Sequence, residues 1–239
     1  MKIHNIGSYM VNNYMFETPV GIIGIDTGYP GGFPKFKKRF EKLFPLSELK
    51  YLILTHHHDD HSGFLNEIIE ATNAKIILHP TAIPLLASGK ATSKNYTPPG
   101  SGYSSIPASL FGKFKKDFSF PSVVISSDRM IAVDSEEIQP FEDLNLPLKI
   151  LHLPGHTADH IGLFLKEPGI IFCGDAAMNA VISVARHTIW IDDKAEFGRS
   201  WDKMISYNAK KIYPAHGSPF SPSDLIKYRN YLERKKKIE

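Results

Sequence analysis

The chain has 239 residues, 42% apolar and 22% charged, proportions that fit a globular protein with a sizeable core in one domain or two tightly joined layers and speak against a disordered or fibrous chain. The opening Met1–Gly7 has no signal-peptide stretch, no apolar run is long enough to span a bilayer, and Cys173 is the single cysteine, so a reducing, cytoplasmic setting without disulfide or membrane partner is expected. Much of the net charge of +3 lies between Lys227 and Lys237, which reads as a solvated, cation-rich helix end rather than a nucleic-acid surface.

In chain order, Asn13–Glu17 alternates as a strand does, and Gly21–Ile25 is a short apolar run ending at Asp26-Thr27-Gly28. Gly28, Pro30, Gly31 and Gly32 then break the chain. Lys35–Leu43 has helical spacing with a basic outer face. Tyr51–Leu54, preceded by Ser47 and Glu48, has the composition of a buried strand and runs straight into Thr55-His56. A helix is expected from about Ser62 to Ala71 with Leu65, Ile68 and Ile69 inward, then a strand at Ile76–Leu78 and a short helix from Pro80 to Ala87. This alternation argues for a sheet covered by helices. From about Ser88 to Asp128 the character changes. Pro98-Pro99-Gly100 and nearby serines mark irregular chain, and Tyr96, Tyr103 and Phe111 are among aromatics interleaved with lysines. Strand signals resume at Val123–Ile125, Leu148–Leu151, Ile161–Leu165, Ile170–Phe172 and Lys210–Tyr213. Helices fit Ala195–Tyr207 and Ser223–Arg234, with Ser221 or Ser223 as the cap of the second.

The densest chemistry is the stretch Thr55-His56-His57-His58-Asp59-Asp60-His61-Ser62-Gly63 at a strand end. In extended backbone alternate side chains share a side. His56, His58 and Asp60 are therefore expected to converge, with His57 and Asp59 turned away and His61 at the turn into the next helix. Imidazoles and a carboxylate gathered in this way suit zinc or a similar first-row cation. Burying them without an ion is costly, and the apolar strand and helix on either side argue against an exposed polyhistidine loop. Three later segments repeat the pattern of apolar run, small or rigid residue, then one ligand-type side chain. They offer His156 after Pro154-Gly155, Asp175 after Gly174, and His216 after Pro214-Ala215. Four such strand ends in one chain point to a shared site.

Through the His-x-His-x-Asp-His signature and the later His, Asp and His motifs, the chain resembles the metallo-β-lactamase superfamily. The motifs fall in order from Asp26-Thr27-Gly28 to Pro214-Ala215-His216-Gly217. The resemblance implies an α/β fold, an αββα sandwich of two mixed sheets flanked by helices. It implies a single domain over 1–239, within which the irregular segment at about 88–128 reads, from its length and composition, as a lid or insertion. It also implies one metal held by His56, His58 and His156, a second by Asp60, His61 and His216, and Asp175 bridging both. Zinc is the expected metal, with iron or manganese as alternatives. Two cations roughly 3.5–4 Å apart can share a water and hold it as hydroxide at neutral pH; Asp60 would add a carboxylate that orients or protonates. Asp26 is expected to accept a hydrogen bond from a ligand histidine and fix its tautomer, although a turn carboxylate accounts for it nearly as well. His160 reads equally as part of the site or as an ordinary hydrogen-bonded histidine, Cys173 as inert packing, and His4, His79, His152 and His187 as ordinary histidines.

Departures from family patterns narrow the chemistry. The commonest exported zinc β-lactamases carry cysteine where Asp175 stands, so antibiotic hydrolysis is not expected. Thr55-His56-His57-His58 is similar to the glyoxalase II form of the motif, which implies thioesters. However, Ala176-Ala177-Met178-Asn179 departs from that family's glycine- and arginine-containing sequence, and the 88–128 insertion falls where that family is short. Lactonases of the superfamily share the seven ligands. The expected activity is hydrolysis of a small ester-type bond, thioester or lactone, in a small-molecule substrate. A mononuclear-iron persulfide dioxygenase-like oxidoreductase and a non-catalytic, metal-retaining binding protein are the rivals. Tyr96, Tyr103 and Phe111 are the expected substrate contacts, on a flap suited to an amphipathic or anionic molecule; a structural excursion packing its own aromatics is the alternative. The oligomeric state is not legible.

Overall fold

A computed structural model of the protein describes residues 1–91, 119–134, 139–142 and 144–231. They fall into two compact units, one within Met1–Thr92 and Phe118–Leu146, the other within Pro147–Glu239. The substrate contacts expected at Tyr96, Tyr103 and Phe111 lie outside the described residues.

The first unit is a six-stranded mixed sheet. Its strands are β1 (Ile3–Asn5), β2 (Tyr14–Thr18), β3 (Gly21–Ile25), β4 (Leu49–Ile53), β5 (Lys75–Leu78) and β6 (Met130–Ala132), adjacent in that order. The first three pair antiparallel, and β3 to β6 run parallel. Parallel neighbours require crossovers. Helices α1 (Phe33–Phe40), α2 (Asp59–Ser62), α3 (Leu65–Ala71) and α4 (Ala82–Ser88) lie on these connections. Phe36 and Phe40 of α1, Leu65 and Ile68 of α3 and Leu86 of α4 pack with Ile22, Leu52, Leu54, Ile76 and Leu78 into one core. Ile23, Ile25, Ile53 and Ile77, of the opposite parity, are buried as well, as expected of a sheet with both faces covered.

Three expectations fail locally. Val123–Ile125 is not a strand, and Met130–Ala132 pairs with β5 instead. The apolar run serves the end of α4: Val123 N donates to Leu86 O at 3.0 Å and Ser122 Oγ to Ala87 O at 2.6 Å, satisfying carbonyls that a helix end leaves open. The helix expected from Ser62 to Ala71 is two pieces, because Thr27 N (2.8 Å) and Thr27 Oγ1 (2.7 Å) both donate to His61 O. That carbonyl would otherwise accept the next helical hydrogen bond. Finally, the extended parity does not reach Asp60, since α2 begins at Asp59 and places Asp60 and His61 on one helical turn.

The second unit holds β7 (Leu148–His152), β8 (Ile161–Leu165), β9 (Ile170–Gly174) and β10 (Lys211–Pro214), in the spatial order β10-β9-β8-β7. Strand β8 is antiparallel to both β7 and β9, and β10 is parallel to β9. Strands β7, β9 and β10 therefore share one direction, and their C-terminal ends emerge at one edge of the sheet. Helix α5 (Lys194–Ser206) is started by Asp193, whose side chain accepts from Ala195 N and Glu196 N. Its Phe197, Trp201 and Met204, at helical spacing, pack against Leu151, Ile171, Cys173 and Ile212. Helix α6 (Pro222–Tyr228) is capped by Ser221 and adds Leu225 to the same core. Among the described residues, no helix is long and apolar enough to cross a membrane.

Candidate metal centre

In the first unit the parallel register of β3 and β4, with Ile25 opposite Ile53, brings the two strand ends side by side. Asp26 leaves β3 with φ of 57°, a left-handed conformation that aspartate tolerates better than most residues. Its fully buried carboxylate is well supplied. Oδ1 accepts from Thr55 N at 2.7 Å, and Oδ2 accepts from Thr55 Oγ1 and from His61 Nδ1, both at 2.8 Å. A carboxylate can only accept here, so His61 is the Nδ1–H tautomer, with its lone pair on Nε2. Thr55 Oγ1 also lies 3.1 Å from His56 Nδ1; with its proton on Asp26, it accepts from that ring and sets the same tautomer. The ring of His56 lies 4.6 Å from that of His58 and 4.1 Å from that of His61. All three are buried, as are His57 and Asp59, whereas the Asp60 side chain is 18% exposed. Asp60 Oδ1 stands 3.6 Å from His61 Nε2.

In the second unit His156, Asp175 and His216 follow β7, β9 and β10, at the shared edge. Gly155 precedes His156 with φ of 128°, and a Cβ there would collide with Phe197, so the tight turn requires glycine. His156 Nδ1 donates to Trp190 O at 2.7 Å, which leaves the lone pair on Nε2. Asp175 turns its two oxygens to different rings: Oδ2 lies 3.7 Å from His156 Nε2, and Oδ1 lies 3.4 Å from His216 Nε2. Its backbone N–H donates to His160 Nε2 at 2.9 Å. His160 thus supports Asp175 through the main chain; its position four residues after His156 is a weak signal, and no spacing rule assigns it this partner.

The other histidines have ordinary surroundings. His4 meets Glu17, and His79 meets Thr81. His152 Nε2 pairs with Ala158 O. His187 stacks on Trp201 with centroids 4.8 Å apart, and burial pushes its pKa down to about 4. Cys173 is fully buried, and burial pushes its thiol pKa up, as suits inert packing.

A sequence profile of the metallo-beta-lactamase superfamily matches residues 7–216. The chain belongs to this superfamily. It is 30% identical over 96% of its length to the probable metallo-hydrolase YflN of Bacillus subtilis, spanning 90% of that protein. Against the beta-lactamase-like protein 2 homolog of Caenorhabditis elegans it is 27% identical over 99% of its length, but it spans only 66% of that relative. Among solved structures, the archaeal superfamily protein ST1585 of Sulfolobus tokodaii matches with a TM-score of 0.67 at 20% identity, over 99% of this chain and 88% of that one. TTHA1623, solved in a di-iron-bound form, matches with a TM-score of 0.64 at 24% identity, over 95% and 98%. The fold is thus the metallo-β-lactamase fold, and the family is one of metallo-hydrolases that bind divalent ions.

The donor groups within each unit fit such ions. Separations of 3.4 to 3.7 Å between Asp175 and its two imidazoles, and of 3.6 Å between Asp60 and His61, are long for hydrogen bonds, which favour roughly 2.7–3.2 Å. Two donors each about 2.0–2.1 Å from one tetrahedral ion lie about 3.4 Å apart. The rings whose tautomers are set by their partners carry the lone pair on Nε2, the nitrogen that faces the neighbouring carboxylate in His61 and His156.

Proposed function

We propose that the protein is a two-metal hydrolase of small ester-type bonds, with thioesters and lactones as its substrate class. The observation that carries this reading is the Asp175 carboxylate, whose oxygens face two different imidazoles. A carboxylate so placed can serve two ions at once. We assign His56, His58 and His156 to one ion, Asp60, His61 and His216 to the other, and Asp175 to both. The di-iron form of TTHA1623 supports a binuclear centre in this fold, and the ligand set suits zinc. When bound, such a pair supplies Lewis acidity and an activated water at neutral pH.

The chain's own groups do the positioning. Asp26 and Thr55 orient His61 and His56, Trp190 O orients His156, and His160 holds the Asp175 backbone. Asp60 is the partly exposed carboxylate of the set, which suits it to carry a proton between the site and solvent. We assign substrate contact to Tyr96, Tyr103 and Phe111. Deleting Lys94–Lys115 is then expected to raise KM while leaving metal loading intact; loss of both would assign the segment to structure instead.

Metal analysis of the purified protein, combined with a panel of thioesters, lactones and phosphodiesters, tests the function. Two divalent ions per chain and fastest turnover on a thioester or lactone are expected. One iron per chain with oxygen uptake would replace the reading with a dioxygenase. Two ions with no turnover across the panel would replace it with a binding protein.

A further inference from the structure

In the second unit, a turn whose residues carry no metal-ligand side chain is tied to the strand ends that carry Asp175 and His216. Beyond Asp175 the chain passes through Asn179 to a two-residue turn, where His187 N donates to Val184 O at 3.0 Å. Its central residues, Ala185 and Arg186, have φ of 53° and 64°. Glycine and asparagine fill such left-handed pairs readily, whereas alanine and arginine pay a steric cost. A strained turn of this kind persists when its surroundings over-determine it.

Here the surroundings converge on the Arg186 guanidinium. Nε donates to Asp224 Oδ2 at 2.8 Å, and Nη2 reaches the same oxygen at 2.8 Å. Nη1 donates to Asn179 Oδ1. The guanidinium carbon lies 5.2 Å from the centroid of the Phe220 ring, and Arg186 O accepts from Met178 N at 2.9 Å. Asn179 in turn belongs to both strand ends. Its N–H donates to His216 O at 3.0 Å, and its Nδ2 donates to Ser218 O at 2.8 Å. Gly217, with φ of 86°, lies so close to the Asn179 backbone that no Cβ fits between them.

We propose that Arg186 is a positioning residue for the metal centre. It ties the Asp175 loop, through Asn179, to the backbone around His216 and to Phe220 and Asp224 beyond it. The tie sets the spacing between Asp175 and His216. The planar fork of arginine suits this task, since it engages Asp224 and Asn179 in fixed directions while stacking on a ring; lysine offers a point charge. The proposal rests on the two-metal reading above.

The test compares full-length wild type with R186A, R186K and D224N. Amide exchange at Asn179 in the metal-free protein reads the clamp alone, and R186A is expected to raise it about 10- to 100-fold while amides of β7 to β9 keep their rates. Cobalt(II) titration then reads the spacing. R186A is expected to weaken the second ion about 10- to 100-fold and to shift the ligand-field spectrum, with R186K between R186A and wild type. D224N, which keeps the turn and the Asn179 contact, should change both readouts in the same direction by less, and it decides the matter if R186A does not fold. Faster exchange with unchanged cobalt binding would reduce Arg186 to a structural residue and overturn the proposal, as would unchanged exchange. If wild type itself binds fewer than two cobalt ions, the two-metal reading falls. Exchange at Asn179 then still decides whether the clamp exists.

Discussion

The two units build their donor sets by opposite means. In the first, His56, His58, Asp60 and His61 sit within one short stretch and lean on side chains. A single carboxylate, Asp26, gathers Thr55 and His61, and through Thr55 it reaches His56. In the second, the donors come from three separate strand ends, and His156 and Asp175 each have a support of their own. His156 is oriented by Trp190 O, and Asp175 is held through its own amide. Side-chain support is concentrated, so one substitution disturbs two rings together. In the second unit the contacts are separate, so losing the His160 contact should stay with Asp175, while the Arg186 tie proposed above is the one that reaches two ligands.

The severest break is expected where the second set converges. Asp175→Asn should lower metal content and turnover together, by at least about 100-fold, beyond the 10- to 100-fold typical of losing a supporting partner. Elemental analysis beside steady-state rates checks this, and normal loading with normal activity would defeat the assignment. Asp26→Ala comes next. It strips His61 and Thr55 of their acceptor and should weaken metal binding about 10- to 100-fold. It should also destabilise the metal-free protein by about 2–4 kcal/mol, because the buried Thr55 N–H and hydroxyl lose their partner.

Acid provides a gentler probe of the second unit. The folded pKa of His187 is about 4, lowered first by burial, against an ordinary value of 6.5. The unfolded chain therefore binds the proton more readily between those values. The contribution is fully present above about pH 6.5 and is lost as pH falls toward 4, on the order of 3 kcal/mol at most. Urea unfolding of the metal-free protein across that window should show the loss, and His187→Phe should flatten it; an equal slope in the variant would remove His187 as the cause. His160→Ala is the mildest case. It should weaken metal binding less than Asp26→Ala does, by up to about 10-fold, with His160→Gln recovering part of the loss through its amide oxygen. A larger effect than that of Asp26→Ala would reverse the comparison between the units.

The ligand-type residues were legible in the sequence because each follows a short apolar run and a turn, and that pattern is local. The parity argument stops short of Asp60, because α2 begins at Asp59, and the helix then breaks because Thr27, 34 residues before His61, captures the His61 carbonyl and keeps α2 separate from α3. The apolar run Val123–Ile125 misled for a related reason. Its backbone and Ser122 close the end of α4, a task that composition does not announce. The short strand β1 carries too little periodicity to be noticed, and the aromatic segment holding Tyr96, Tyr103 and Phe111 lies outside the described residues.

By itself the sequence determined the family and the strand ends where donor side chains occur, because ligand chemistry and hydrophobic patterning are both written in short stretches. Tertiary structure alone decided which nitrogen of His56, His61 and His156 bears the proton, which ring each oxygen of Asp175 faces, and how Arg186 joins two strand ends. Those facts depend on hydrogen-bond partners such as Asp26 for His61 and Trp190 for His156, each more than thirty residues away in the chain. No spacing rule reaches that far, since only the folded backbone brings such groups within about 3 Å of each other.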